Sequence, residues 1–226
     1  MTGKTTELKL DIERIGTVSA ILTQPTHARA CYVLAHGAGA DMRHAFMEKV
    51  AAGLAERGIA TFRFNFPYME AKKGRPDLPA IAHASVRAAV AEAARLCPGL
   101  KLVAGGKSFG GRMTSQAQSK SPLPAVKGLA FLGFPLHAAK KPSSERAEHL
   151  AAIAIPMLFL QGTRDELADL AHLKPVIARL GKATLHEVAG GDHSFAVLKK
   201  SGRTNDEALS EVLDALAAWI DESLSA

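Results

Sequence analysis

The sequence predicts an α/β fold in which a mostly parallel sheet of about eight strands carries helices on both faces. Short apolar runs alternate with longer stretches of helical periodicity along the 226 residues, which is typical of a parallel sheet with crossover helices. The first two apolar runs are separated by only a short turn, which indicates a hairpin and an antiparallel strand at one edge. No linker-like segment divides the chain, so we expect one domain over residues 1–226.

The predicted strands are runs rich in apolar and β-branched residues. The hairpin comprises 6–12 and 16–23, joined near Arg14–Gly16. The run 31–35 (CYVLA) is continuously apolar, as expected of a strand that is covered on both faces. Five more runs complete the sheet: 59–64, 100–104, 126–132, 156–161 and 183–188.

Apolar residues recur at helical spacing between most of these strands. They predict a helix that begins near Phe46 and ends before Gly58, and further helices over 80–96, from Phe109 onward, and over 167–180 and 205–224. Thr204 and Glu207 have the spacing of a capping box at the start of the last helix. The polar, proline-containing segment 135–150 is either a small lid or a long loop.

Charge and cysteine content exclude several functional classes. The net charge is +6, but the basic residues are scattered and form no dense run, so we expect no nucleic-acid partner. Cys31 and Cys97 lie outside any metal-spaced motif and favour a reducing compartment. The N-terminus lacks an apolar signal-peptide core, and no window approaches ~20 apolar residues. The sequence therefore predicts a cytoplasmic protein without a membrane partner, and it predicts no oligomeric state.

The stretch Gly106–Gly110 (GKSFG) has the pattern G-x-S-x-G and centres on Ser108. It follows a predicted strand and precedes a predicted helix, which is the context of a nucleophile elbow. The turn is so tight that the positions two before and two after the serine must be small. Ligands bind at the carboxyl ends of parallel strands, so Ser108 is placed where a substrate would lie. A plain glycine turn is the alternative.

A serine hydroxyl needs a base, and the base needs a carboxylate to orient it. With such an elbow the expected chain order is serine, then aspartate or glutamate, then histidine. Asp165 follows the strand 156–161, and His193 follows the strand 183–188, so both lie at the same edge as Ser108.

Alternatives exist for these assignments. Asp165 could instead cap the next helix, with Glu166 and Asp169 as rival acids, whereas Asp192 better fits a turn role. The remaining histidines are expected at the surface or in packing; these are His27, His44, His83, His137, His149, His172 and His186.

An oxyanion site needs two backbone N–H groups. We assign one to Phe109, which follows the serine, and the other to Ala38, with its neighbour Gly39 as the alternative. Ala38 and Gly39 belong to the glycine-rich loop HGAGA, in which His36 is expected to organise the loop by hydrogen bonding. Residues in the edge loops could line the substrate pocket, with core packing as the alternative: Phe66, Tyr68, Phe134, Leu136 and Phe195.

Two cations flank the serine. Lys107 and Arg112 would favour an acidic substrate if they face the pocket. The alternative is that each is a solvated charge on the first turn of the helix.

Taken together, these motifs resemble the α/β-hydrolase superfamily over nearly the whole chain. The segments are HGAGADMRHAFM, FRFNFPYME, GGKSFGGRM, GFPLH, PMLFLQGTRDE and GDHSF. As a set they are similar to a narrower group of small bacterial hydrolases that is related to dienelactone-hydrolase-like proteins and to testis-expressed hydrolase-like proteins of animals.

The resemblance implies an α/β-hydrolase fold, to which the short chain adds little or no cap. It also implies a triad of Ser108, Asp165 and His193 and no metal or organic cofactor. Dienelactone hydrolases proper carry cysteine at the elbow, so the serine of this chain does not support their substrate.

The expected function is hydrolysis of a small-molecule carboxylic ester or thioester through an acyl-enzyme on Ser108. The rival from another class is a non-catalytic binding or scaffold protein with the same fold. A peptidase or an acyltransferase is the rival among enzymes.

Overall fold

All eight predicted strands belong to one sheet in the computed structural model, which describes residues 3–223. The strands are β1 (Gly3–Ile12), β2 (Gly16–Pro25), β3 (Ala30–Ala35), β4 (Ile59–Phe64), β5 (Lys101–Lys107), β6 (Val126–Leu132), β7 (Met157–Gly162) and β8 (Ala183–Val188). The α-helices are α1 (Ala45–Glu56), α2 (Pro67–Glu70), α3 (Pro79–Leu96), α4 (Phe109–Lys120), α5 (Leu170–Ala178) and α6 (Asn205–Ser223). The predicted α/β fold is confirmed.

The strand order is β1-β2-β4-β3-β5-β6-β7-β8. β1 and β2 are antiparallel and form the predicted edge hairpin, whereas β3 to β8 run parallel. In the register, Ala35 pairs with both Phe64 and Gly106, and Lys107 pairs with Leu132. The carboxyl ends of the central strands are therefore level, and the loops that follow them meet at one edge.

The core lies in two layers, one on each face of the sheet. Helices α1 and α6 cover one face, where Leu54 and Leu216 pack on alternate residues of the central strands. Helices α3, α4 and α5 cover the other face around residues such as Val86 and Met113. Because side chains alternate along a strand, cover on both faces buries every position of β3 and β4. β3 is apolar throughout, whereas β4 also buries Thr61 and Arg63.

Several elements differ from the prediction at their ends, and one helix was not predicted. β5 continues to Lys107, because the glycines at 105 and 106 still pair with β3 and β6 although they favour strands weakly. α5 begins at Leu170, since Asp169 caps it by accepting from Ala171 N at 2.9 Å. The loop after β4 contains the short helix α2, which begins with a proline and has no apolar periodicity.

The segment 135–150 folds back onto the helical layer. Residues Glu145–Ala152 form a 3₁₀ helix that buries Ala147 and Leu150. It is fastened to α4 by a 2.7 Å contact between Ser115 Oγ and His149 Nε2. Within residues 3–223, no helix is long and apolar enough to cross a membrane.

The start of α6 carries the predicted capping box. Glu207 N donates to Thr204 Oγ1 at 3.1 Å, and Thr204 N donates to Glu207 Oε2 at 2.7 Å. These two reciprocal bonds satisfy main-chain donors that the helix itself leaves unpaired.

Removal of this box should weaken the fold measurably. We expect Thr204→Ala to lower the free energy of unfolding by about 1 kcal/mol, because an N-terminal donor of α6 loses its acceptor. Urea denaturation of Thr204→Ala, Glu207→Ala and the double variant checks this. The two single losses should sum to more than the loss in the double variant, since both remove the same interaction. Strictly additive losses would contradict the reciprocal box.

Candidate active site

Ser108 occupies a strained turn between β5 and α4. Its φ is 49° and its ψ is −114°, a combination that non-glycine residues rarely adopt. The backbone is held there by bonds from Ser108 N to Leu132 O at 3.2 Å and from Arg112 N to Ser108 O at 3.1 Å. Ser108 is the N-cap residue of α4, yet its side chain makes no capping bond.

Glycines make this turn possible because the backbone of β3 passes directly behind it. A Cβ at Gly106 would overlap the Ala35 carbonyl oxygen and lie 2.9 Å from its carbon. A Cβ at Gly110 would lie 2.6 Å from His36 O. Both distances are shorter than a real Cβ tolerates, so the two outer positions of the motif must be glycine. The backbone therefore forms the tight strand-to-helix turn that the spacing predicts, and the role of Ser108 as a nucleophile stays a prediction.

Asp165 and His193 lie next to each other at the same edge. His193 Nδ1 is 2.7 Å from Asp165 Oδ2, with the carboxyl group fully buried and the imidazole one quarter exposed. Asp165 also accepts from Leu167 N at 2.8 Å and from the Gln161 side-chain amide. These donors fix the carboxylate, which in turn fixes the ring. The contact puts the imidazole N–H on Nδ1 and leaves Nε2 as the proton acceptor.

The carboxylates that were alternatives to Asp165 make other contacts or face solvent. Asp169 caps α5, and Glu166 is exposed. Asp192 Oδ1 accepts from Ser194 N at 2.8 Å and from Ala196 N at 2.9 Å, which confirms its predicted role in the turn.

The loop after β3 runs beside the serine. A Cβ at Gly37 would lie 3.7 Å from Ser108 Cβ, so the following amides of Ala38 and Gly39 are close to the elbow. His36 organises this loop, as predicted, because its Nε2 accepts from Phe66 N at 3.0 Å and its Nδ1 lies 2.9 Å from Gly37 O. Burial lowers the pKa of His36 to about 4, so the ring is neutral at physiological pH.

These elements enclose a cavity of about 370 Å³ that Ser108 and His193 share. Ala38 and Gly39 line it, as does Lys107. Of the described residues, those of segment 135–150 do not line it, so this segment is a packed excursion and not a lid over the serine. Sequence reasoning missed the other lining side chains: His44, Phe46, Met47, Leu167 and Ser194. The sequence did place Phe46 at the start of a helix, but its helical periodicity indicated core packing and not a position in the cavity wall.

Five predicted pocket residues instead lie in the core, and their assignment to the pocket wall is corrected here. Each is at most 2% exposed: Phe66, Tyr68, Phe134, Leu136 and Phe195. Their edge loops turn the side chains inward, where aromatic rings pack against one another. Phe66, for example, meets the ring of Phe109 edge-on with centroids 5.4 Å apart. Tyr68 retains a link to the site, since its hydroxyl donates to Gly37 O at 3.4 Å.

The placement of Lys107 also needs correction. It is the last residue of β5 and not part of the first helical turn, and it is only 8% exposed. Its Nζ donates to the main-chain oxygen of His193. Burial lowers the pKa of Lys107 to about 8. Arg112 is half-buried outside the cavity lining, and burial lowers its pKa as well.

The elbow should not tolerate a methyl group at Gly106. We expect Gly106→Ala to destabilise the protein by about 3 kcal/mol or more, because the methyl group overlaps the β3 backbone at a φ of +148°. Gly74→Ala is the matched control, since nothing lies within 4 Å of its Cβ position. Chemical denaturation compares them, and equal stability of the two variants would refute the close approach.

The neutral state of His36 predicts a pH dependence of stability. The unfolded chain binds a proton at His36 below about pH 6.5, whereas the folded chain resists it down to about pH 4. Stability is therefore present at neutral pH and is lost as the pH falls through this window, by up to about 3 kcal/mol. His36→Gln keeps an acceptor near Phe66 N but does not ionise. We expect its unfolding free energy to fall less steeply between pH 6.5 and 4, and parallel curves would contradict the assignment.

Comparison with known proteins shows the family to which this chain belongs. The family model described as an α/β hydrolase domain matches residues 28–221. The fold is similar to that of dienelactone hydrolase from Anabaena variabilis, with a TM-score of 0.78 and 18% identity over 99% of both chains.

Two further solved structures share the fold. One is the esterase domain of a Rhodothermus marinus protein, with a TM-score of 0.72 and 16% identity over 96% of this chain and 98% of that one. The other is an α/β serine hydrolase without a lid from Xanthomonas campestris, with a TM-score of 0.72 and 20% identity over 95% and 94%. Because the family match includes every strand from β3 to β8 and all three edge loops of the site, this chain is a member of the α/β hydrolase domain family.

Proposed function

We propose that the protein is a serine hydrolase that cleaves carboxylic esters or thioesters of small molecules through an acyl-enzyme on Ser108. The observation that carries the proposal is the 2.7 Å contact between His193 and the buried Asp165 in the loops that border the strained serine. A histidine oriented in this way can take the proton of a nearby hydroxyl. A binding or scaffold protein would need neither the strained serine nor the oriented imidazole.

The proposed reaction begins when Ser108 Oγ attacks the carbonyl carbon and His193 Nε2 accepts the hydroxyl proton. The carbonyl oxygen gains negative charge in the tetrahedral intermediate. The amides of Phe109 and Ala38 are proposed to hold it, with Gly39 as the alternative to Ala38. The first N–H groups of α4 have no partner within the helix, and the positive end of its dipole lies beneath the same oxygen.

Collapse of the intermediate breaks the bond to the leaving group, which takes the proton from His193. A water molecule then attacks the acyl-enzyme, with His193 again accepting the proton, and the acid product leaves as Ser108 regains its hydrogen. Asp165 keeps the ring oriented and stabilises the imidazolium in both halves.

The preference for esters or thioesters rests on the pocket and on the relatives. The cavity is small and open, and its walls carry the apolar side chains of Ala40, Phe46, Met47 and Leu167. These suit a compact apolar acyl or alcohol group. One similar structure is an esterase domain, and another is a serine hydrolase without a lid, which matches the uncovered cavity of this chain.

Covalent labelling with a fluorophosphonate tests the nucleophile directly. We expect the wild type to label and Ser108→Ala not to, because the probe traps an activated serine. Ser119→Ala removes a hydroxyl from the far end of the same helix and should label like the wild type. Absence of labelling in the wild type, or equal labelling of Ser108→Ala, would overturn the proposed function.

A second comparison addresses the oriented base. Asp165→Asn should lower kcat on a p-nitrophenyl ester by about 10⁴-fold, because the amide favours the wrong imidazole tautomer. Full activity in this variant would remove Asp165 from the proposed mechanism.

A further inference from the structure

Lys107 is a charged residue that the proposed chemistry does not use. It ends the strand that carries Ser108, and its side chain leaves β5 on the face that α1 and α6 cover, together with that of Val103. The Nζ atom reaches across the end of the sheet to the main-chain oxygen of His193, in the loop after β8. One side chain thus links the strand of the proposed nucleophile to the residue proposed as its base.

This link crosses a narrow gap beside a glycine. Gly133 follows β6, and a Cβ there would lie 3.0 Å from Lys107 Nζ and 3.0 Å from His193 O. The ammonium is further enclosed by two aromatic rings, with Nζ 5.7 Å from the centroid of Phe46 and 5.9 Å from that of Phe195. Aromatic rings at these distances favour a cation.

Asp165 holds the side chain of His193, whereas a different contact holds its main chain. Asp192 holds the residues after it through the amides of Ser194 and Ala196. In the part of the chain that the structure describes, Lys107 is the one side chain that bonds to the main chain of His193. A hydrogen bond from an ammonium to a carbonyl is stronger than one between neutral groups, so this contact is suited to fixing the base.

We propose that Lys107 is a positioning residue that holds the main chain of His193 in register with Ser108. The proposal rests on the proposed function, because it assigns Lys107 to the proposed base and not to the substrate. An acidic substrate group would need the ammonium to face the cavity centre, whereas its bond is directed at the loop.

The same geometry predicts an alkaline limit to activity. Burial lowers the pKa of Lys107 to about 8, and the charges of Asp165 and Asp192 oppose that shift. Histidines 44 and 193 are the other titratable groups on the cavity wall. Above this pH the lysine becomes a neutral amine, which is a weaker donor, so the His193 loop should loosen.

Loss of the Lys107 proton should raise the stability of the fold, although it should lower the activity. Below about pH 8 the buried charge lowers stability, and this cost disappears as the pH rises towards 10.5, because the folded chain loses the proton before the unfolded one.

The test compares Lys107→Met with Lys101→Met, which makes the same change at the opposite end of β5. Three quantities are measured: the rate of fluorophosphonate labelling from pH 6 to 10, the hydrogen exchange of the segment 189–197, and the unfolding temperature. We expect Lys107→Met to label about 10- to 100-fold more slowly at pH 7.5, since a small misplacement of a catalytic group has effects of this size. Its segment 189–197 should exchange several-fold faster.

Lys107→Met should unfold at a temperature at least as high as the wild type at pH 7, with the difference shrinking towards pH 10. The wild type and Lys101→Met should show a fall in labelling rate above about pH 8 that Lys107→Met lacks. This pattern separates positioning from a general loss of structure, which would lower the unfolding temperature.

Wild-type-like labelling and exchange in Lys107→Met would overturn the inference, as would the absence of the alkaline fall in the wild type. A wild type that does not label at all would instead overturn the proposed function. In that case the exchange of segment 189–197 still decides whether Lys107 holds the loop.

Discussion

The close approach of the β5 and β3 backbones is the constraint on which the candidate site depends. At Gly106 and Gly110 the chain turns so near the carbonyl of Ala35 that no side chain fits between them. Ser108 lies between these two positions in its strained conformation, with a φ of 49°. The strain costs about 1–3 kcal/mol, and it persists because the packing of two central strands outweighs it. The contact also brings the loop after β3 beside the serine, so one approach positions both Ser108 and the proposed oxyanion donors.

Asp165 and His193 depend on a second approach of the same kind. A Cβ at Gly162, the last residue of β7, would lie 2.5 Å from Asp192 O. The loop that carries Asp165 therefore packs directly on the loop that carries His193, and their 2.7 Å contact follows from that packing. Each half of the site is thus built on a backbone contact. The two halves meet across the end of β6, where Lys107 and Gly133 lie.

The sequence predicts the parts of this site that follow from chain order and strand ends. Ser108, Asp165 and His193 were located because each follows an apolar run, and parallel strands bring such positions to one edge. Chain order and strand ends do not predict the direction in which a side chain of an edge loop points. Phe66 and Phe195 occupy the expected loops yet turn into the core, because burying an aromatic ring is favourable wherever the backbone permits it. The hydrogen-bonding role predicted for His36 is confirmed by its contacts with Phe66 N and Gly37 O.

Lys107 shows how one boundary error changes the interpretation of a residue. Ending β5 at 104 puts Lys107 on a helical turn, where a lysine is normally solvated. With the strand continued to 107, period-two alternation places it on the same face as Val103, a buried position. A charge at such a position carries a desolvation cost that favours neutral residues, so its presence calls for a compensating interaction. The bond to His193 is that interaction, and it holds the main chain of the residue proposed as the base. The turn at Ser108 is fixed by packed strands, whereas the proposed base lies in a loop and its imidazole is one quarter exposed, so a buried cation is useful on the side of the proposed base.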